Sequence, residues 1–176
     1  MKALKGIIIG IILVFSIGVV VFLGLSLYAY GNLKYYSVYY AQQMPHKEGT
    51  EPDLVMLIEN MGSIYTPKIE GIRYDDDGRN FIENSTNLTG KPTNFDEFVG
   101  GYGYSDQNDV TYKFNKNFSL EWAIDKDYKK IDLATVDEKK IKEEIRETVQ
   151  PVLDVQSKPL INLQWLFNKM YQDRFN

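Results

Sequence analysis

The chain has 176 residues, with 20 basic and 24 acidic side chains, one His and no Cys, a length that fits one domain of ordinary size plus a short appendage. A net charge of −4 lacks the basic excess that phosphate neutralisation demands, which argues against a nucleic-acid partner. Without Cys there is no disulfide framework, thiolate metal site or thiol nucleophile, and a single His removes most histidine-based catalytic and metal templates.

Residues 1–5, with Lys2 and Lys5, precede a run from Gly6 to Leu27 built only from Gly, Ser, Ile, Leu, Val and Phe. As a helix this run is about 33 Å long, enough to cross a hydrocarbon layer of about 30 Å. Residues 6–30 are therefore expected to form a transmembrane anchor in a lipid bilayer. A cleaved secretory signal would have a shorter apolar region and a small-x-small end, and only Ala29-Tyr30-Gly31 offers such a cut. The amino group, Lys2 and Lys5 on one side, against Lys34 alone on the other, predict a cytoplasmic N-terminus. Tyr28, Tyr30, Tyr35, Tyr36, Tyr39 and Tyr40 follow as an outer interfacial belt. Gly6 and Gly10 make the one Gly-x-x-x-Gly spacing of the run, a short stripe for helix dimerisation.

Residues 31–50, with Pro45, His46 and Gly49 and no periodicity, read as a juxtamembrane stalk, and residues 51–176 as an extracytoplasmic domain. Thr50 as cap and Asp53 three residues later predict a helix carrying Leu54, Leu57, Ile58 and Met61, closed by Gly62. Lys68–Tyr74 and Asn80–Asn84 flank Asp75-Asp76-Asp77-Gly78-Arg79 as a hairpin, and 84–93 is a polar loop. Val110–Phe114 and Phe118–Ile124 read as strands joined at Asn115-Lys116-Asn117, with Tyr128–Leu133 as a third. In the second strand Phe118, Leu120, Trp122 and Ile124 are expected on the core face, opposite Ser119, Glu121 and Ala123. Thr135 and Glu138 form a capping box ahead of a helix with Ile141, Ile145, Val149 and Leu153 on one side and Pro151 near its end. Ser157 is expected to cap a last helix with Leu160, Leu163, Phe167 and Met170 on one face. The fold class is thus α+β: an N-terminal transmembrane helix, then an antiparallel β-meander covered by C-terminal helices.

Two segments suit binding. Gly100, Gly101 and Gly103 interleave with Tyr102 and Tyr104, which reads either as a recognition loop or as a bulged edge strand with half-buried tyrosines. Trp165 and Leu166, with Ile161, widen the apolar arc of the last helix beyond what one sheet covers, which suits a core helix, a protein interface or contact with the outer membrane surface.

The sequence assigns no catalytic residue, metal site or cofactor. His46 lies in the stalk without fixed neighbours. Aligning Gly78 with the glycine of a calcium loop puts Arg73 at the first ligand position and Asn84 at the last, where a bidentate Glu is required. Asp96, Glu97, Asp106, Asp109, Glu121 and Asp125 include no pair that spacing selects for acid–base work. The acceptor motifs at Asn84, Asn87 and Asn117 matter only in a glycosylating secretory pathway.

From Gly31 on, 18 basic residues stand against all 24 acidic ones. Lys outnumbers Arg 16 to 4, and Asn, Ile and Tyr are abundant, a bias that points to an AT-rich, low-GC Gram-positive source. The layout resembles the small N-anchored envelope proteins of such bacteria, which implies an accessory role at the cell membrane. The expected function is recognition of an envelope protein, with a wall glycan or anionic polymer as the alternative ligand and a carboxylate-dependent hydrolase as the third reading.

Overall fold

In the computed structural model, which describes residues 2–75 and 80–176, helix α1 (Lys2–Tyr35) carries the apolar run and continues past it. It is the one helix among the described residues long and apolar enough to cross a membrane, and none of its apolar stretch is buried in the fold. The Ser16 and Ser26 hydroxyls donate to the carbonyls of Ile12 and Phe22, both at 2.8 Å, so neither leaves a polar group open on the apolar surface.

No stalk follows. Helix α2 (Ser37–Gln42) begins two residues after α1 ends, and Leu33, Val38, Tyr40, Ala41 and Met44 are buried in the core. Tyr40 therefore leaves the predicted aromatic belt, of which Tyr28, Tyr30 and Tyr35 remain exposed. Its hydroxyl donates to Asn32 Oδ1 at 2.6 Å and accepts from Leu163 N at 3.0 Å, so one side chain joins the end of α1 to the start of the last helix. The apolar side of 33–44 packs against α3 (Pro52–Glu59), so these residues share the core with those beyond 51. All of α3 but its last residue is buried.

The entry into α3 differs from the predicted cap. Glu51 occupies the N-cap with φ 46° and no side-chain capping bond, while Thr50 Oγ1 donates to Lys47 O at 2.8 Å and lies 3.3 Å from Phe175 O. Asp53 is held by Arg146, whose Nη1 and Nη2 donate to its carboxylate at 2.7 and 2.9 Å, and Nη2 also donates to Glu51.

Six strands follow as an antiparallel meander in chain order: β1 (Ile72–Asp75), β2 (Phe81–Asn84), β3 (Thr93–Phe98), β4 (Gly101–Ser105), β5 (Thr111–Asn115) and β6 (Leu120–Ile124). The predicted first hairpin is present as β1–β2; its turn, residues 76–79, lies outside the described residues, and with it the calcium-loop reading, which uses Asp75 and Asp77 around Gly78. The β5–β6 hairpin is also present, closed by Asn115, whose Oδ1 accepts from Asn117 N and Ser119 N. Tyr128–Leu133 makes only one bridge, Ile124 to Lys130, rather than a strand. Strand β3 begins where the predicted 84–93 loop ends, and β4 is a strand, as one of the two readings of the Gly100–Tyr104 segment has it, but an interior one rather than an edge.

Helix α4 (Glu138–Leu153) buries Ile141, Ile145, Val149 and Leu153 as its spacing predicts. Its cap is Asp137, accepting from Lys140 N at 3.1 Å, and Thr135 belongs to a separate 3-10 turn capped by Asp132. Helix α5 (Gln164–Phe175) starts seven residues after Ser157. Asn162 Oδ1 accepts from Gln164 N at 2.8 Å and Tyr40 holds Leu163, so 157–162 stays irregular around Pro159. Phe167 and Phe175 are its buried residues, whereas Leu160 and Met170 are exposed. Helices α3 and α4 cover one face of β2 and β3, and α2 lies between α3 and α5.

Candidate functional site

Antiparallel strands alternate their side chains between two faces. On the core face the register aligns Tyr74, Ile82, Phe95, Tyr104, Tyr112 and Ala123, one from each strand. On the opposite face it aligns Phe81, Asp96, Gly103, Lys113 and Trp122 in the adjoining row, with Phe98 and Gly101 beside them.

Tyr102 and Tyr104 therefore lie in an interior strand, 1% and 2% exposed, and not on a recognition loop or a sheet edge. Tyr102 packs on Phe95 and Phe118, with ring centroids 6.3 and 5.5 Å away. Its hydroxyl donates to Glu59 Oε1 at 2.8 Å and accepts from Arg174 Nη2 at 2.7 Å. Burial pushes the phenol well above its ordinary pKa, and the Glu59 charge adds to that. The same burial raises the Glu59 carboxyl, but hydrogen bonds from Arg174 and Tyr102 outweigh it and leave a net lowering.

Of the three glycines, Gly100 alone has a left-handed backbone, φ 78°, in the two-residue Val99–Gly100 turn between paired Phe98 and Gly101. Gly101 and Gly103 serve close packing instead. A Cβ on Gly101 would lie 2.0 Å from Phe114 O and 2.4 Å from Lys113 Nζ, and one on Gly103 would lie 2.2 Å from Asp96 Oδ1. At the helix site Leu166 packs on the core while Trp165 is exposed.

The bare strip of Gly101 lets Lys113 lie flat on the outer face. It is 3% exposed, donates to Phe114 O at 2.6 Å, approaches Glu121 Oε2 at 3.6 Å and sits 5.6 Å from the Phe98 ring centre. Phe98 in turn meets Trp122 edge to face, centroids 6.0 Å apart. The alternation of β6 predicts Trp122 on the core face, opposite Ala123; the structure reverses them. Lys113 pairs with Trp122 but Phe114 pairs with Leu120, so a bulge inserts Glu121 and flips the face of every residue beyond it. Phe81 lies toward the far edge of the same surface, with the Arg73 guanidinium 5.7 Å from its ring centre. Phe81, Phe98, Trp122 and Ile124 all lie outside the core cluster.

A cavity of about 380 Å³ opens at the other end of the core face, lined among others by Asn84, Tyr104, Asp106, Asn108, Glu144 and Glu147. Thr93 and Thr148 share a hydrogen bond of 2.9 Å at its base, and Asn84 Nδ2 donates to Thr148 O at 2.9 Å. Asp106 Oδ1 accepts from the backbone of Asn108 and Val110, which shapes the β4–β5 turn. Burial raises the Glu144 carboxyl pKa, against the pull of Lys140 and with the help of Asp106. Burial and the same Asp106 charge push the Tyr112 phenol up to about 12. Glu144→Gln is therefore expected to raise the melting temperature at pH 7, where the folded state disfavours the charged glutamate. The gain should vanish below the ordinary glutamate pKa, where both states are protonated; an equal gain at both pH values would refute the linkage.

The structure distributes the other sequence carboxylates. Glu97 accepts from Asn80 at 2.9 Å, Asp109 pairs with Lys91 at 2.7 Å, Asp125 accepts from Asp127 N and Lys129 N, and Asp96 lies over Gly103. His46 Nδ1 lies 3.0 Å from Met44 O. Among the described residues no three His, Asp or Glu side chains converge as a cation site needs. Sequence reasoning missed Glu144 and Phe98; the first is one of many acids on a charged helix, and the second sits in a strand the sequence does not reveal. No protein-family model, curated protein or solved structure matches this chain.

Proposed function

We propose that the chain is a single-pass, membrane-anchored domain of the bacterial cell envelope, N-terminus cytoplasmic and domain outside, that works without catalysis by binding a protein partner through the outer face of its sheet. One observation carries this reading: Phe81, Phe98 and Trp122 stand on the sheet face opposite the helices, outside the core. An antiparallel sheet with one solvated face ordinarily alternates apolar-in and polar-out. Three aromatic rings on the outer side break that pattern. Beneath them Gly101 packs closely on the Phe114 carbonyl and the buried Lys113 ammonium of β5. Aromatic side chains beside charged ones, here Arg73, Glu83 and Glu121, are the composition from which interface energy comes.

The test is a photo-crosslinking residue placed at Trp122 in the full chain in living cells. The expected result is a discrete protein adduct that Phe98→Ser reduces by about tenfold, a loss typical of a central contact. Since Trp122 lies outside the core, Trp122→Ala should cost about 1–2 kcal/mol of stability rather than the 3–5 of a fully buried tryptophan. Absence of any adduct, with the protein folded, overturns the reading.

A glycan or anionic polymer as ligand draws on a different observation, the polar cavity beside Asn108 and Glu147. Amide and carboxylate groups there suit hydroxyl-rich ligands. Crosslinks from Asn108 to wall polysaccharide, with none from position 122, would favour it.

A further inference from the structure

We propose that Leu160, Ile161 and Trp165 form a second membrane contact, laying the domain against the outer leaflet beside its own anchor. The inference rests on the reading that the Gly6–Leu27 run spans a bilayer, and extends it to the domain itself.

The segment before α5 is tied to the end of the anchor by hydrogen bonds. Asn32 Nδ2 donates to Ile161 O at 3.2 Å and lies 3.4 Å from the Tyr28 hydroxyl. Tyr40 adds its hydroxyl contacts to Asn32 and Leu163, and its carbonyl accepts from Gln164 Nε2 at 2.8 Å. Residues 161–164 thus hold a fixed height along α1. Asn32 lies five residues beyond Leu27, which at 1.5 Å per residue is about 7 Å past the end of the apolar run. The headgroup region on each side of a hydrocarbon core is about 5–7 Å deep. Ile161 is therefore held at the level where the headgroups meet water, just beyond Tyr28 and Tyr30, which follow Leu27 by one and three residues.

At that level the chain exposes apolar bulk. Leu160 is 97% exposed, Ile161 51% and Trp165 66%, although Leu163 and Leu166 nearby pack on the core. In water three such side chains so close in sequence are unfavourable. At an interface they are favoured: aliphatic side chains reach the acyl boundary, and an indole prefers the headgroup zone, apolar on one side and wet on the other. Two attachments, a spanning helix and an interfacial ridge, would fix the tilt of the domain and hence the direction in which the outer sheet face points.

The chain has two tryptophans, Trp122 and Trp165, so Trp122→Phe leaves Trp165 as sole reporter. The full-length protein is reconstituted into vesicles of phosphatidylcholine and phosphatidylglycerol and floated on a density gradient. Fluorescence is then read with and without lipids brominated in the upper half of their acyl chains. The expected result is a blue-shifted emission that loses about half its intensity to brominated lipid, as for an indole at the interface. Leu160→Ser with Ile161→Ser should restore most of it. Should Trp122→Phe fail to fold, the difference between the wild type and Trp165→Phe gives the same reading. Flotation with an emission that brominated lipid leaves intact and aqueous acrylamide quenches overturns the contact and keeps the anchor. Shielding from both quenchers overturns it in favour of a second copy or another protein on the ridge. Failure to float removes the anchor and the contact together.

Discussion

Replacing Tyr102 and Tyr104 together by alanine is expected to unfold the domain. Both rings are almost wholly buried in β4, Tyr102 against Phe95 and Phe118, and Tyr104 stacked on Tyr112 with centroids 6.1 Å apart. Truncating a buried aromatic costs about 3–5 kcal/mol each, and the total stability of a domain this size is about 5–15 kcal/mol. Loss of the Tyr102 hydroxyl also strips Glu59 and Arg174 of a shared partner. Circular dichroism and urea titration read the outcome directly. A double variant that melts like the wild type would mean that β4 does not lie in the interior of the sheet.

Gly101→Ala should come next in size, at about 3 kcal/mol or more, for an unrelated reason. Nothing apolar is lost. One methyl group is driven to within 2.0 Å of the Phe114 carbonyl and onto the Lys113 ammonium, and overpacking against backbone is relieved only by parting β4 from β5. Gly62→Ala is the control, with no atom within 4 Å of its Cβ position, and should change stability by less than about 0.5 kcal/mol. If the two variants have the same denaturation midpoint, the close approach of Gly101 to β5 is wrong.

Patterns that repeat within one element are legible in the sequence. The apolar run predicts a helix long enough to span a bilayer, and α1 is that helix. The i, i+4 spacing of Ile141, Ile145, Val149 and Leu153 names the buried side of α4 because a helix repeats on itself, whatever it packs against. The β1–β2 and β5–β6 hairpins are legible for the same reason, short strands bracketed by strong turn residues.

What depends on a partner distant in sequence is not legible. β4 reads as a loop or a bulged edge strand because glycines weaken strand propensity, and only its pairing with β3 and β5 makes it interior and makes Gly101 and Gly103 advantageous. The tyrosines between them read as available for contact, since sequence shows that a ring is present but not which strands enclose it. Residues 33–44 read as a stalk because their burial comes from α3 and α5, and Tyr40 reads as a belt residue because its hydroxyl partners, Asn32 and Leu163, meet only in the folded chain. The Trp122 face turns on one bulge at Glu121, which shows only when β6 is set against β5. By itself the sequence determined the apolar helix, the α+β class and a side-chain inventory with no Cys and one His. Tertiary structure alone decided which aromatic rings are core and which face outward, because burial is a property of pairs and the second member of each pair lies elsewhere in the chain.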